Sequence, residues 1–163
     1  MKALIIFSLI TIFSIGCFGQ NQRAESFNVE SLEGKHFNSE ELQGKVVVLY
    51  FWSTSCPICE NITPKLNLIA DKYADKNVVY LAVTHERKNK VEPFLKKHKL
   101  AFDVIAGNFD IIFKYGDKGK DGDFNMPFPS LFIIDSSGGL ALKSVGIKAA
   151  VEVDNTLSKL TNQ

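Results

Sequence analysis

"KVVVLYFWSTSCPICE", residues 45–60, is the stretch that decides the fold. Its first half is a continuous run of β-branched and aromatic residues, which is typical of a strand buried on both faces of a sheet. Its second half holds Cys56 and Cys59, with a proline directly after the first cysteine. Pro57 suits the first turn of a helix because its missing N–H would have no partner there. The stretch therefore predicts a buried strand that passes into a helix at Cys56.

The elements outside this stretch alternate between strands and helices. Apolar residues at helical spacing, Ile62, Leu66 and Ile69, extend the first helix to about residue 76. The further elements are predicted as an extended pair around Gly34, a strand at 77–83, a helix near 91–98, a short strand at 102–106, a short helix at 109–116, a Gly- and charge-rich loop at 116–127, a hairpin at 130–146 and a closing helix through 153–160. This order predicts an α/β sheet covered by helices on both faces.

The first twenty residues have the layout of an export signal. Lys2 is followed by an apolar run and then by small residues, an arrangement typical of signal peptides. The run is shorter than the roughly 20 apolar residues of a membrane span. We therefore expect residues 1–20 to direct export and residues 21–163 to form the working domain. Cleavage directly before Cys17 is the alternative, and it would leave a cysteine for lipid attachment, as in the bacterial lipoprotein signals that this segment resembles.

Charge and composition bound the class of partner. The chain has 19 basic and 18 acidic residues, so no electrostatic argument favours nucleic acid or an anionic surface. With 163 residues and 45% hydrophobic side chains, it is typical of one globular domain that folds without structural disulfides. We expect a monomer that binds no nucleic acid, no cofactor and no metal.

The spacing of Cys56 and Cys59 favours redox chemistry. Cys56 is expected at the positive end of the helix dipole, where cysteine pKa values fall below the free value of about 8.5. Cys59 lies one turn later on the same side of the helix. One thiolate can therefore attack a substrate disulfide while the other resolves the mixed disulfide.

Three other interpretations of the cysteine pair stay open. A structural disulfide is permitted in an exported protein, although so short a loop removes little chain entropy. A zinc half-site needs a second close pair of ligands, and the three histidines of the chain are scattered in sequence. A copper carrier needs both thiolates and one histidine.

Residues 51–66, "FWSTSCPICENITPKL", resemble the active-site segment of the thioredoxin superfamily, with Trp52, the cysteine pair and Pro64 in the family's positions. "LEGKHFNSEELQGKVVVLYFW" and "PSLFIIDSSG" resemble the TlpA-like and ResA-like branch, of the AhpC/TSA-redoxin type. The similarity covers nearly all of residues 25–161. It implies a thioredoxin fold, in which a central mixed β-sheet is flanked by helices and preceded by a β-hairpin extension.

The resemblance also implies roles for individual residues. Cys56 is the attacking and Cys59 the resolving thiol, and Pro129 is a cis-proline beside them. Phe128, directly before that proline, offers its backbone to an extended substrate. The expected substrate-binding residues are Trp52, Pro57, Ile58, Phe128 and Pro129. We expect Trp52, Ile58 and Phe128, together with Phe124, to form an apolar rim around the thiols; the alternative for Trp52 is packing in the core.

The sequence departs from the family at the positions of its proton-transfer acids. Tyr50 stands where thioredoxins have an aspartate, and Ile62 stands where the ResA-like branch has a glutamate. Glu60 is close in sequence, but its position on the helix directs it elsewhere. The residue that moves the proton at Cys59 is therefore left unassigned, and water or another carboxylate could serve.

The resemblance implies an exported thiol–disulfide oxidoreductase, periplasmic or membrane-anchored and facing the periplasm. We expect it to reduce disulfides of protein substrates with electrons from a membrane or periplasmic donor. A thiol oxidase or isomerase is one alternative, and a copper-carrying thioredoxin-like protein is an alternative from another class. The uncharged Pro-Ile pair between the cysteines argues against a strong oxidant.

Overall fold

Residues 22–162, the part of the chain that the computed structural model describes, fold into nine strands and four helices. The strands are Asn28–Glu30 (β1), His36–Asn38 (β2), Val46–Phe51 (β3), Val78–Thr84 (β4), Asp103–Ala106 (β5), Asp117–Lys118 (β6), Phe124–Asn125 (β7), Ser130–Ile134 (β8) and Leu140–Val145 (β9). The helices are Pro57–Lys72 (α1), Lys88–Leu95 (α2), Phe109–Tyr115 (α3) and Ala149–Thr161 (α4).

The predicted export signal, residues 1–20 with Cys17, lies outside the described residues. Within the described part of the chain, no helix has the length and apolar character that a membrane span requires.

Five strands form the central sheet, in the order β5-β4-β3-β8-β9. β3 pairs in parallel with β4 and antiparallel with β8, and β4 and β5 are also parallel. All six residues of β3 are buried, because packed elements cover both faces of the sheet. The predicted α/β class with a central mixed sheet is confirmed by this topology, and burial on both faces explains the continuous apolar run of β3.

Alternate residues of β3 divide the core into two layers. Val48 and Tyr50 belong to the layer that includes residues of α1, α2 and α4. Val47 and Leu49 belong to the opposite layer, with α3 and the first strand. Successive side chains of a strand point to opposite faces, so each layer receives every second residue. The site described below lies at the carboxyl end of β3, where the strand ends between these two core layers.

The predicted N-terminal hairpin is confirmed. Strands β1 and β2 pair antiparallel around a turn in which Gly34 has a φ of +80°, a conformation that favours glycine. In the same turn, the Leu32 N–H donates a hydrogen bond of 2.8 Å to the Val104 carbonyl. This bond ties the hairpin extension to strand β5.

Helix α1 ends earlier than the apolar spacing predicts. Tyr73 is its C-cap residue, and the Tyr73 hydroxyl donates to a carboxylate oxygen of Asp154 at 2.9 Å. This tie to α4 fixes the end of α1. The chain then turns so that β4 can begin at Val78.

Residues 116–127, predicted as one loop, contain the short antiparallel ribbon β6–β7. The Gly119 N–H donates to the Asp123 carbonyl at 2.7 Å, and Gly122 has a φ of +84°. Glycine at this turn allows the ribbon to close, which the charge-rich composition alone did not indicate.

Candidate active site

Cys56 lies between β3 and α1 and is the N-cap residue of the helix. Its backbone is extended, with φ −101° and ψ 104°, and its Sγ accepts a hydrogen bond of 3.1 Å from the Cys59 N–H. Pro57 occupies the start of the helix, as predicted. The sulfur of Cys56 therefore faces both a backbone N–H donor and the positive end of the helix dipole, and each stabilises negative charge on it.

The two cysteines form a disulfide, with their Cα atoms 5.2 Å apart, but they differ in exposure. Cys56 is half-buried and borders solvent, whereas Cys59 is only 1% exposed. Cys59 belongs to the core layer that contains α1. A large molecule can therefore approach the sulfur of Cys56 but not that of Cys59.

The peptide bond between Phe128 and Pro129 is cis, as the resemblance implied. Ser130, the next residue, pairs with Phe51 at the end of β3. Pro129 therefore lies at the sheet edge from which the chain leads to Cys56. Pro129 is buried, and Phe128 is half-buried beside it.

Of the other predicted substrate-binding residues, Pro57 and Ile58 are on the surface. Both lie in the first turn of α1, and Ile58 is 44% exposed. Both place apolar surface at the amino end of α1, where Cys56 lies. This part of the predicted rim is therefore available to a partner.

Trp52 is not part of that surface. It is 2% exposed, and its ring lies between those of Tyr50 and Phe94, with centroid distances of 6.4 and 5.6 Å. The prediction that Trp52 contacts substrate is corrected here, and the alternative of core packing holds. The reason is the period of the strand: Trp52 follows Val48 and Tyr50 on the side that faces α1.

Tyr50 lies behind Cys59, in the position where thioredoxins have their aspartate. The Thr63 hydroxyl donates to the Cys59 carbonyl at 2.8 Å, and the Tyr50 hydroxyl lies 3.3 Å from both of these oxygens. Burial raises the pKa of Tyr50 to about 12, although the hydrogen bond with Thr63 opposes this shift. Tyr50 therefore stays protonated at neutral pH and cannot act as a base toward Cys59.

The neighbouring acidic and family positions supply no base either. Ile62 is fully buried in the core. Glu60 is exposed, and its carboxylate lies 3.5 Å from Nδ1 of His98. Since Cys59 is buried and Glu60 faces solvent, the expectation that Glu60 points elsewhere agrees with its placement.

Glu86, which the sequence reasoning did not single out, lies beneath the segment that leads to Cys56. It is buried at 6% exposure, and its carboxylate accepts hydrogen bonds from the Thr54 N–H at 2.6 Å and the Thr54 hydroxyl at 2.9 Å. It also pairs with Lys90. Burial raises the pKa of Glu86, but the hydrogen bonds from Lys90 and Thr54 outweigh burial, and the pKa is below its usual value.

A signal for Glu86 was present in the sequence. Residues 77–83 and the "KVVVLYFW" run are both predicted as buried strands, and neighbouring parallel strands end at the same sheet edge. In the sheet, Phe51 pairs with Val83. The residues that follow the second strand therefore lie beside those that follow the first, which brings Glu86 to Thr54.

Residues 22–162 contain no group of three or more His, Cys, Asp or Glu side chains arranged to hold a metal ion. Two of the three histidines, His85 and His98, stack on phenylalanine rings. His98 lies 4.3 Å from Phe94 and His85 lies 5.7 Å from Phe128, measured between ring centroids.

The amino-acid sequence of this chain is similar to those of known proteins. Residues 20–143 match the profile of the AhpC/TSA family. The thiol–disulfide oxidoreductase ResA of Bacillus cereus is 33% identical over 144 residues, which cover 86% of this chain and 78% of that protein.

Two solved structures show the same fold. A thiol:disulfide interchange protein of the thioredoxin family from Chlorobium tepidum superposes with a TM-score of 0.74 at 22% identity, covering 87% of this chain and 97% of that one. The thioredoxin domain of a thiol–disulfide oxidoreductase from Bacteroides vulgatus gives a TM-score of 0.71 at 20% identity, with coverage of 87% and 97%. The expected thioredoxin fold is confirmed by these likenesses.

Proposed function

Because the chain belongs to the AhpC/TSA family and is a thiol–disulfide oxidoreductase related to ResA, we propose that it reduces disulfides of exported proteins through Cys56 and Cys59. The observation that carries this proposal is the difference between the two sulfurs. Cys56 is half-buried, and its sulfur accepts a backbone hydrogen bond at the start of α1, whereas Cys59 is buried. This difference suits one attacking and one resolving thiol.

The proposed reaction has two steps. In the reduced chain, the Cys56 thiolate attacks one sulfur of a substrate disulfide; a Cys56–substrate bond forms, the substrate S–S bond breaks, and the released thiolate takes a proton from water. The Cys59 thiolate then attacks Sγ of Cys56, which forms the internal disulfide and releases the second substrate thiolate. Two electrons pass to the substrate, and a dithiol donor of the membrane or periplasm restores the reduced pair.

The substrate would lie across the surface formed by Pro57, Ile58 and Phe128. In this proposal the Phe128 backbone, held by the cis bond to Pro129, receives an extended segment of the substrate. Trp52 supports this surface from the core. The proton that leaves Cys59 passes to water, since Tyr50 is protonated at neutral pH.

We further propose that residues 1–20 direct export and that the domain of residues 21–163 acts as a monomer in the periplasm, or anchored to the membrane and facing the periplasm. The basic start and short apolar run support export. Lipid attachment at Cys17 would provide the anchor. Mass spectrometry of the mature chain tests this: a start near residue 21 supports simple cleavage, and a diacylated Cys17 supports the anchor.

Reduction of insulin with dithiothreitol as electron donor tests the proposed activity. We expect the chain to accelerate precipitation of the insulin B chain, and Cys56→Ser to return the rate to the uncatalysed one. Full activity in Cys56→Ser would contradict the mechanism. Stoichiometric Cu(I) binding through both thiols without turnover would instead support the copper carrier.

The direction of electron flow is tested by the reduction potential of the cysteine pair. Thioredoxin-like reductants have reduction potentials of about −270 mV, and strong oxidants have values of about −120 mV. A value above about −150 mV would overturn reduction as the task and favour a thiol oxidase or isomerase.

A further inference from the structure

Four phenylalanines and His85 form two groups of neighbouring rings, which one face of helix α3 joins into a row that starts at the cis-proline. Phe128 stacks on His85, with planes 8° apart and centroids 5.7 Å apart, and His85 lies 6.0 Å from Phe109. Phe113 lies 4.5 Å from Phe124 of the ribbon. Phe109 and Phe113 are four residues apart on α3, so they share one face of that helix. We call these five residues the aromatic row.

Three phenylalanines of the row are exposed, although they are large and apolar. Phe109, Phe113 and Phe124 are 54%, 51% and 38% exposed, and only the Phe128 end reaches the core. Exposed aromatic rings grouped in this way are typical of a site that binds another molecule.

The far end of the row is held in place by a glycine. A Cβ atom added at Gly116 would lie 2.1 Å from Cε2 of Phe124, so the phenyl ring rests on the backbone of Gly116. The ribbon that carries Phe124 is also tied to β9 by the ion pair of Asp117 with Lys143. Phe124 is therefore directed toward Phe113 by the packing of its own segment.

Two aspartates beside the row are paired with lysines. Asp110 pairs with Lys114 along α3 at 2.9 Å, and Asp117 pairs with Lys143 at the base of the ribbon. The three exposed phenylalanine rings offer apolar contact beside these paired charges, and an apolar segment fits them better than a charged one.

We propose that the aromatic row binds the apolar residues that flank the reactive cysteine of a protein substrate. The argument is one of continuity: the row begins at Phe128, the residue beside Pro129 at the edge of the thiol site, and continues through His85 onto helix α3. Substrates with apolar or aromatic residues next to the cysteine are then preferred over polar ones. This inference rests on the proposed function, since it extends the same substrate site.

The test uses two synthetic peptides, each with a central cysteine joined to glutathione as a mixed disulfide. In the apolar peptide, Leu and Phe alternate with Ser for six residues on both sides; in the polar peptide, Gly replaces each Leu and Phe. Values of kcat/KM are measured with the full chain and a regenerating dithiol, after subtraction of the uncatalysed rate. We expect the wild type to prefer the apolar peptide by about tenfold, and the Phe109→Ala, Phe113→Ala double variant to bring this ratio close to one.

Two further variants sharpen the result. Gly116→Ala keeps a permitted backbone, since Gly116 has a φ of −73°, but displaces the Phe124 ring; we expect it to lose part of the preference through a higher KM. Leu68→Ala truncates an exposed apolar residue of α1 that lies outside the row and is 69% exposed. It is the matched control and should keep the wild-type ratio. Circular dichroism of all variants reports whether each is folded.

The outcomes separate this inference from the proposed function. If the wild type reduces neither peptide, thiol–disulfide exchange itself is contradicted, and the inference fails with it. If both peptides are reduced and the folded double variant keeps the wild-type ratio, the inference alone is overturned. If that variant keeps the ratio but changes a dimer into a monomer in sedimentation, the row is a contact between two copies of the chain, which also overturns it.

Discussion

The segments that follow β3 and β4 lie side by side at one edge of the sheet, but they have different roles. The segment after β3 carries Cys56, half-buried and bordering solvent, and its Thr54 is fixed by a side chain from elsewhere. The segment after β4 carries Glu86, which is buried and provides that fixation. In the proposed mechanism the sulfur of Cys56 has to remain open to a substrate, and the contacts that hold its segment come from the neighbouring segment. This comparison separates residues that react from residues that position them.

The largest effects should come from the cysteines, the reacting part of the comparison. Cys59→Ser keeps the attacking thiol but lacks the resolving one, so we expect a mixed disulfide with substrate to accumulate. Cys56→Ser should trap almost none. Non-reducing electrophoresis with an exported protein extract or with insulin measures both. Equal trapping by the two variants would contradict the assignment of Cys56 as the attacking thiol.

The second largest effect on activity should come from truncation of Glu86, the carboxylate that holds Thr54. Glu86→Ala leaves the Thr54 N–H without its acceptor, and we expect a loss of about 2 kcal/mol of unfolding free energy. The released segment should also lower kcat/KM for disulfide reduction by about tenfold, because the position of the attacking sulfur is less well defined. Urea denaturation and insulin reduction measure these effects. Glu60→Ala, on the exposed side of α1, is the matched control and should change stability by less than about 0.5 kcal/mol.

Acid should act on the same carboxylate. The folded-state pKa of Glu86 is below the ordinary value of 4.5, so its contribution to stability is present above 4.5 and is lost as the pH falls from there through the folded-state pKa. We expect the midpoint of thermal unfolding to fall more steeply between about pH 5 and about pH 3 in the wild type than in Glu86→Gln. Asp135 and Asp154 also have lowered pKa values, but they are present in both proteins. Parallel curves would contradict the assignment to Glu86.

The smallest effect is expected from substitution of Tyr50, which lies behind Cys59. Tyr50→Phe removes a hydroxyl that lies 3.3 Å from the Thr63 hydroxyl, and should cost about 1 kcal/mol of stability. Because the pKa of Tyr50 is raised to about 12, the pH dependence of disulfide reduction should be the same in wild type and variant up to about pH 9. A shift of that profile would show that Tyr50 takes part in proton transfer.

Much of this site could be predicted because its signals are local. The start of α1 follows from Pro57 directly after Cys56, and the buried strand follows from the apolar run before it. The cis bond at Pro129 was implied by resemblance, and the backbone has it. For Trp52 the sequence left contact with substrate and packing in the core both open, and the alternation of β3, continued by one residue, accounts for its burial.

The features of the site that the sequence did not predict depend on which segments lie next to one another in the fold. Glu86 is 32 residues from Thr54 in sequence, and the aromatic row joins residues of four separate segments. Neither has a periodic signal within one segment. The ribbon β6–β7 also lacked a local signal: its pairing and the contact of Phe124 with Phe113 appear only in the folded chain.

The sequence by itself determined the chemistry of this protein: two cysteines at a strand–helix junction, with the first at the helix start. Those features depend on contacts within one helical turn, such as the hydrogen bond from the Cys59 N–H to Cys56. Only the tertiary structure decided that Cys59 is closed off, that Glu86 holds the segment before Cys56, and that aromatic rings extend outward from Phe128. The physical reason is that burial and side-chain contact arise when strands and helices distant in sequence pack together. A local sequence pattern does not specify which of these distant segments become neighbours.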